Sequence, residues 1–155
     1  MYKILFVCHG NICRSPCAEF VMKELVRQAN RQDEFEIASA ATSTEEIGNP
    51  VYPPMRELLN KKGISTAGKY ARQMTKADYD YYDSIILMDH YNLRNIMYII
   101  GEDTDHKVRL LLDRDVSDPW YTRDFTKAYN DILEGCTALL EEKHDMQRLP
   151  QKMRG

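Results

Sequence analysis

Hydrophobic and polar positions along this chain alternate between two periods, and the alternation repeats four times. Lys3-Ile4-Leu5-Phe6-Val7 is a short run rich in apolar residues, the pattern of a strand covered on both faces of a parallel sheet. A tight Gly10-Asn11 turn follows. Ala18, Val21, Met22, Leu25 and Ala29 then recur at helical spacing, with Ser15 predicted as the N-cap and Pro16 in the first turn. The pattern predicts a second strand over residues 35–40, a polar loop through Gly48-Asn49-Pro50, and a helix over residues 53–62. A short helix over 76–82, a buried strand over 84–88 and a helix over 92–100 come next. Residues 108–112 make a fourth strand. In the last helix Phe125, Tyr129, Ile132, Cys136, Leu139 and Leu140 form one stripe, which buries Cys136.

The βαβαβαβα order implies an α/β fold: a single doubly wound four-stranded parallel sheet, right-handed crossovers and helices on both faces. One domain is expected over residues 1–146, with 147–155 as a flexible C-terminal tail.

Composition narrows the classes of function. With 43% hydrophobic and 10% aromatic residues the 155-residue chain has enough apolar surface for a packed core. Its 21 Lys and Arg against 24 Asp and Glu give a net charge of −3, and there is no long basic run. Nucleic acid is therefore not an expected partner, because such binding draws its affinity from phosphate neutralisation. No apolar run approaches the roughly 20 residues that a spanning helix needs, so no membrane partner is expected either. Four cysteines are too few for a disulfide scaffold, and three of them, Cys8, Cys13 and Cys17, crowd into ten positions. A reducing, cytoplasmic setting is expected.

The chemistry concentrates where the first strand ends. In open α/β sheets ligands bind beyond the carboxyl ends of the strands, and there the chain reads Cys8-His9-Gly10-Asn11-Ile12-Cys13-Arg14-Ser15. Consecutive backbone N–H groups of the turn, the positive end of the following helix and the planar fork of Arg14 suit a phosphate dianion. The same field favours a thiolate at Cys8. The string thus reads as a nucleophilic phosphatase loop. Cys8, His9, Cys13 and Cys17 are not expected to hold a metal, because paired Cys-x2-Cys ligands and a second ligand cluster are missing. No cofactor is implied. Cys13, five residues from Cys8 in a curled loop, is a candidate redox partner that forms a disulfide with Cys8 on oxidation.

The string from Val7 to Pro16 resembles the low-molecular-weight protein tyrosine phosphatases. Ser39-Ala40-Ala41, Ala71-Arg72-Gln73, Met88-Asp89 with Asn92-Leu93, and Asp118-Pro119-Trp120-Tyr121 extend the resemblance over nearly the whole chain. It implies that Cys8 attacks phosphorus, that Arg14 holds the equatorial oxygens, and that Asp118 is the general acid and then the general base. It further implies that Asn11 holds the loop in a strained shape and that Ser15 hydrogen-bonds Cys8 and helps sulfur leave. His9, Gly10, Asn11, Ile12, Cys13 and Ser15 would surround the phosphate, while Trp120 and Tyr121, beside Asp118, are expected to form a cleft wall that stacks on a phenyl ring. Asp89 reads both as a helix N-cap and as a support beneath the site. Phosphotyrosine-bearing proteins are the implied partners, with a tyrosine kinase as counterpart.

The chain also departs from the family pattern. His9 stands where a small or apolar residue is frequent. Lys69 replaces a histidine that often supports the loop serine, and Thr44-Glu45-Glu46-Ile47-Gly48 occupies a loop where animal members carry an aromatic residue. Ile12 stands where relatives acting on phosphoarginine tend to have threonine, which favours a flat aromatic ester. A phosphocarrier domain and a non-catalytic phosphotyrosine-binding module are the competing classes. Neither needs the distant Asp118.

Overall fold

The computed structural model describes the backbone of residues 1–148 and the side chains of residues 1–143. In chain order the elements are β1 (Tyr2–Cys8), α1 (Arg14–Gln28), β2 (Phe35–Ala41), α2 (Pro53–Lys61), α3 (Lys76–Tyr81), β3 (Ser84–Leu87), α4 (His90–Ile100), β4 (Val108–Leu110), α5 (Pro119–Thr122) and α6 (Phe125–Arg148). A single 3-10 turn, Gln32–Glu34, leads into β2.

The strands form one parallel sheet in the order β2-β1-β3-β4. The chain therefore moves from β1 to one side, returns across it, and continues on the other side. The reversal opens a crevice at the carboxyl ends of β1 and β3, where open sheets of this kind bind ligands.

Because strand side chains alternate between faces, β1 builds two cores at once. Ile4 and Phe6 pack with Val21, Met22, Met55, Leu59, Ile132 and Leu139 from α1, α2 and α6. Leu5 and Val7 pack with Tyr79, Ile85, Leu87, Ile96 and Ile100 from α3, β3 and α4. This double burial is why the run 3–7 is continuously apolar. Cys136 is fully buried in the α6 stripe, as the periodicity predicts.

The structure corrects one predicted cap. Helix α1 begins at Arg14 with Cys13 in the N-cap position, and no side chain caps it. Ser15 lies inside the first turn, and its hydroxyl turns toward Cys8 rather than toward the helix N–H groups. Helix α4 starts two residues before the predicted boundary because Asp89 and Asn92 form a capping box. Helix α6 continues through Arg148, so Gln147 and Arg148 of the expected tail are helical, and residues 149–155 lie outside the described residues.

Phe6 is completely buried at the centre of the larger core. Phe6→Ala should lower the unfolding free energy by about 3–5 kcal/mol through lost transfer energy and the cavity left behind, as a fall in the urea midpoint at unchanged slope.

Candidate active site

Residues 8–13 leave the sheet as a curled loop that rejoins regular structure at Arg14. The loop is strapped to its neighbours: Thr42 N–H donates to Cys8 O (2.9 Å), Ser43 N–H to His9 O (3.0 Å) and Tyr52 N–H to Ile12 O (2.7 Å). At its apex Asn11 has φ +58°, the left-handed region that asparagine tolerates better than most residues. Its side chain is buried and fully used. Asn11 Nδ2 donates to Ser15 Oγ (2.8 Å) and Ser39 Oγ (3.0 Å), and Oδ1 accepts from Arg72 N–H (3.2 Å).

Around the Cys8 sulfur lie Ser15 Oγ at 3.0 Å and the Ser15 N–H, which donates to it at 3.4 Å. Ser15 Oγ accepts from Asn11 Nδ2 and from the Cys8 thiol, and it donates to Ala40 O at 3.4 Å. Cys13 is a different kind of thiol. Burial, and then the neighbouring Cys8, push its pKa far above the ordinary value. It remains protonated.

Arg14 is only 3% exposed. Its Nη1 donates to Asp89 Oδ2 (2.8 Å) and Val116 O (2.9 Å), while Nη2 reaches Asp118 Oδ2 (3.4 Å). Burial alone would lower its pKa, but Cys8, Asp118 and Asp89 together raise it, so the guanidinium is a permanent cation. Asp89 serves in both predicted ways, because its other oxygen accepts from Asn92 N–H (2.8 Å) as the α4 cap. Asp118 Oδ1 accepts from Trp120 N–H (3.0 Å) at the start of α5.

Cys8, His9, Gly10, Ile12, Cys13, Arg14, Asp118, Trp120 and Tyr121 line one cleft of about 710 Å³, within the range of small-molecule sites. Asn11 and Ser15 lie behind the lining and support it. Trp120 and Tyr121 are exposed wall residues rather than core. The Trp120 ring rests on Tyr52, at 5.3 Å between centroids, and Tyr52 stacks on Phe125 in turn. Tyr52, and Tyr91 and Asn95 of the α4 wall, were not legible in the sequence, because nothing in their local pattern marks them.

The family model for the low molecular weight phosphotyrosine protein phosphatases matches residues 3–152. The chain belongs to that family. It is 37% identical over 147 residues to the low molecular weight protein-tyrosine-phosphatase YfkJ of Bacillus subtilis, covering 90% of this chain and 94% of that protein. It is 40% identical over 151 residues to the low molecular weight phosphotyrosine protein phosphatase of Gallus gallus, covering 91% and 95%. The YfkJ crystal structure superposes with a TM-score of 0.91 at 35% identity, over 96% of this chain and 98% of that one. A Drosophila arginine phosphatase superposes at 0.83 and 31% identity, over 91% and 97%. Phosphotyrosine phosphatase activity, a hydrolase activity, follows from membership. Among the described residues no helix is long and apolar enough to cross a membrane.

The Lys69 departure has a structural answer in this phosphatase. Lys69 Nζ donates to Ser39 O (2.9 Å) and pairs with Glu19 Oε1 at 3.3 Å. Ser39 Oγ donates to Glu19 Oε1 (2.6 Å) and accepts from Asn11. An ion pair behind the sheet end thus supports Asn11 and, through it, Ser15. Glu19 was missed because on a helix of mixed polarity it reads as a surface carboxylate. Burial would raise its pKa, but Lys69, Lys23 and Ser39 outweigh burial and hold it below the ordinary value.

A depressed carboxylate pKa contributes stability that is complete above the unfolded value, about 4.3, and fades as pH falls through the folded one. Glu19→Gln should therefore cost about 3 kcal/mol near neutrality. The gap between the two proteins should narrow below about pH 4, as read from urea midpoints across pH.

Proposed function

We propose that this phosphatase hydrolyses phosphotyrosine in proteins, and small aryl phosphates, through a cysteinyl-phosphate intermediate. Cys8 is the nucleophile, Arg14 the phosphate clamp and Asp118 the acid and then the base. The observation that carries the reading is the position of one guanidinium: Arg14 closes the Cys8 loop and reaches Asp118 from the same nitrogen fork. Cys8, Arg14 and Asp118 line one cleft, which supports a single place for the phosphoryl group.

The ester enters with its ring against Trp120 and Tyr121 and its phosphate in the loop. Sulfur attacks phosphorus in line with the leaving oxygen. Negative charge gathers on the equatorial oxygens, where Arg14, already held by Asp89 and Val116 O, meets it without reorganising. Asp118 gives its proton to the departing phenolate. The resulting carboxylate then takes a proton from the water that attacks the phosphocysteine, and sulfur leaves as a thiolate that receives the Ser15 hydroxyl hydrogen. One carboxyl group serves both half-reactions because each leaves it in the state that the other needs.

Ile12, nearly buried in the cleft lining, and the aromatic wall favour a flat phenyl ester over a polar phosphoguanidinium. A phosphoarginine peptide is the appropriate comparator, given the Drosophila relative. The phosphocarrier reading has no use for the Asp118 carboxyl beside the clamp.

Cys8→Ser should abolish turnover of p-nitrophenyl phosphate while vanadate or phosphate binding survives. Asp118→Asn should lower kcat by about 10²–10³-fold for poor phenolate leaving groups and much less for good ones, since only poor ones need the proton. Equal losses across a series of substituted phenyl phosphates would remove Asp118 from the acid role.

We further propose that peroxide oxidises Cys8 to a sulfenic acid, which condenses with the Cys13 thiol to a disulfide with release of water. Oxidation removes the Cys8 charge that helps keep Cys13 protonated. Dithiothreitol should restore the peroxide-treated enzyme, whereas Cys13→Ser should lose activity irreversibly under the same treatment. Mass spectrometry that finds no Cys8–Cys13 disulfide in inactivated enzyme overturns the proposal.

A further inference from the structure

The segment between β2 and α2 stands over the catalytic loop and brings carboxylates with it. His9 Nε2 lies 3.0 Å from Glu45 Oε2. A Cβ added to Gly10 would sit 3.2 Å from Glu46 Cγ, so the Glu46 stem lies directly on the loop backbone. Glu46 Oε2 accepts from Asn49 Nδ2 (2.6 Å), a neutral partner that leaves its charge in place.

These positions are held from both ends. Thr42 and Ser43 donate to the carbonyls of Cys8 and His9, while Gly48 N–H donates to Ala71 O and Ala71 N–H to Asn49 O. The carboxylates are therefore fixed relative to the phosphate cradle instead of swinging on a loose loop. Both line the cleft. Among the described residues the only Lys or Arg that lines it is Arg14, which is buried at the floor. Trp120 and Tyr121, largely exposed, line the same cleft.

The cleft thus has one cationic point at its base, the rings of Trp120 and Tyr121, and the carboxylates of Glu45 and Glu46 in its lining. Glu45 is 67% exposed and, among the described residues, pairs only with His9, which leaves its carboxylate open to solvent.

We infer that Glu45, reinforced by Glu46, is a specificity-determining residue that selects phosphotyrosine flanked by lysine or arginine and rejects phosphotyrosine in acidic surroundings. This rests on the phosphotyrosine reading of the same site. The selection is electrostatic and acts on the encounter and on binding rather than on the chemical step. Exposed ion pairs are individually weak, worth about two- to five-fold each. Replacing an attractive flank by a repulsive one counts the effect twice.

The test uses the full chain and three phosphotyrosine peptides that differ only in the two residues on either side of the phosphotyrosine: lysine, alanine or glutamate. Each protein's rates are normalised to its own kcat on p-nitrophenyl phosphate. For the unsubstituted enzyme in low salt, kcat/KM should fall in the order lysine, alanine, glutamate. The spread should be about ten-fold, carried by KM, and should contract in 0.5 M salt. Glu45→Gln should cut the spread to about three-fold, and Glu45→Lys should invert the order.

Equal kcat/KM for the three peptides overturns the inference. So does a spread that survives unchanged in Glu45→Gln and Glu45→Lys, which would assign it to the net charge of the molecule. Failure of the unsubstituted enzyme to turn over p-nitrophenyl phosphate and all three peptides would strike the phosphatase reading itself, and is thereby separate from failure of the flank preference.

Discussion

The buried guanidinium of Arg14 is the constraint on which the site depends. A cation this deeply enclosed is tolerable only if its hydrogen bonds are met by acceptors, anionic ones among them. Those acceptors come from distant parts of the chain: Asp89 after β3, and Val116 O and Asp118 after β4. Val116 N–H is itself tied to Met88 O. Satisfying one charge therefore draws the ends of three strands together over the crevice where the sheet order reverses. The arrangement that lowers the cost of burial also presents the guanidinium to an anion.

Behind the loop a second polar chain settles a matter of direction. Glu19 accepts the Ser39 proton, which leaves Ser39 Oγ to accept from Asn11. Asn11 also donates to Ser15 Oγ, which lies 3.0 Å from the Cys8 sulfur and donates to Ala40 O. Lys69 and Lys23 hold the carboxylate that starts the series. Lysine at position 69 is thus compatible with support of the loop, because the burden falls on the Glu19 carboxylate and the ammonium only has to keep it charged and in place.

The outer cleft follows different rules. The floor is buried and its contacts are short, whereas Glu45, His9, Trp120 and Tyr121 meet solvent. Interactions there are screened and individually small, so they suit discrimination among substrates better than stabilisation of a transition state.

The order of the elements, the double burial of β1, and the loop with Cys8 and Arg14 were all legible in the chain, because each rests on local periodicity or on residues close in sequence. Asp118 was legible only beside the family pattern, since an isolated Asp-Pro marks no chemistry. The N-cap of α1 was misread because Ser15 beside Pro16 has a strong local preference, and the long-range demand of Cys8 and Asn11 on its hydroxyl overrode that preference. Glu19 and Tyr52 remained invisible for a related reason, as did the pairing of Glu45 with His9. Each takes its role from a partner 20 to 68 positions away, Ser39 for Glu19, Trp120 for Tyr52 and His9 for Glu45. Hydrophobic spacing records which face of an element is buried, but not which polar atom will stand opposite once the sheet has closed. Those pairings exist only after the strand ends converge.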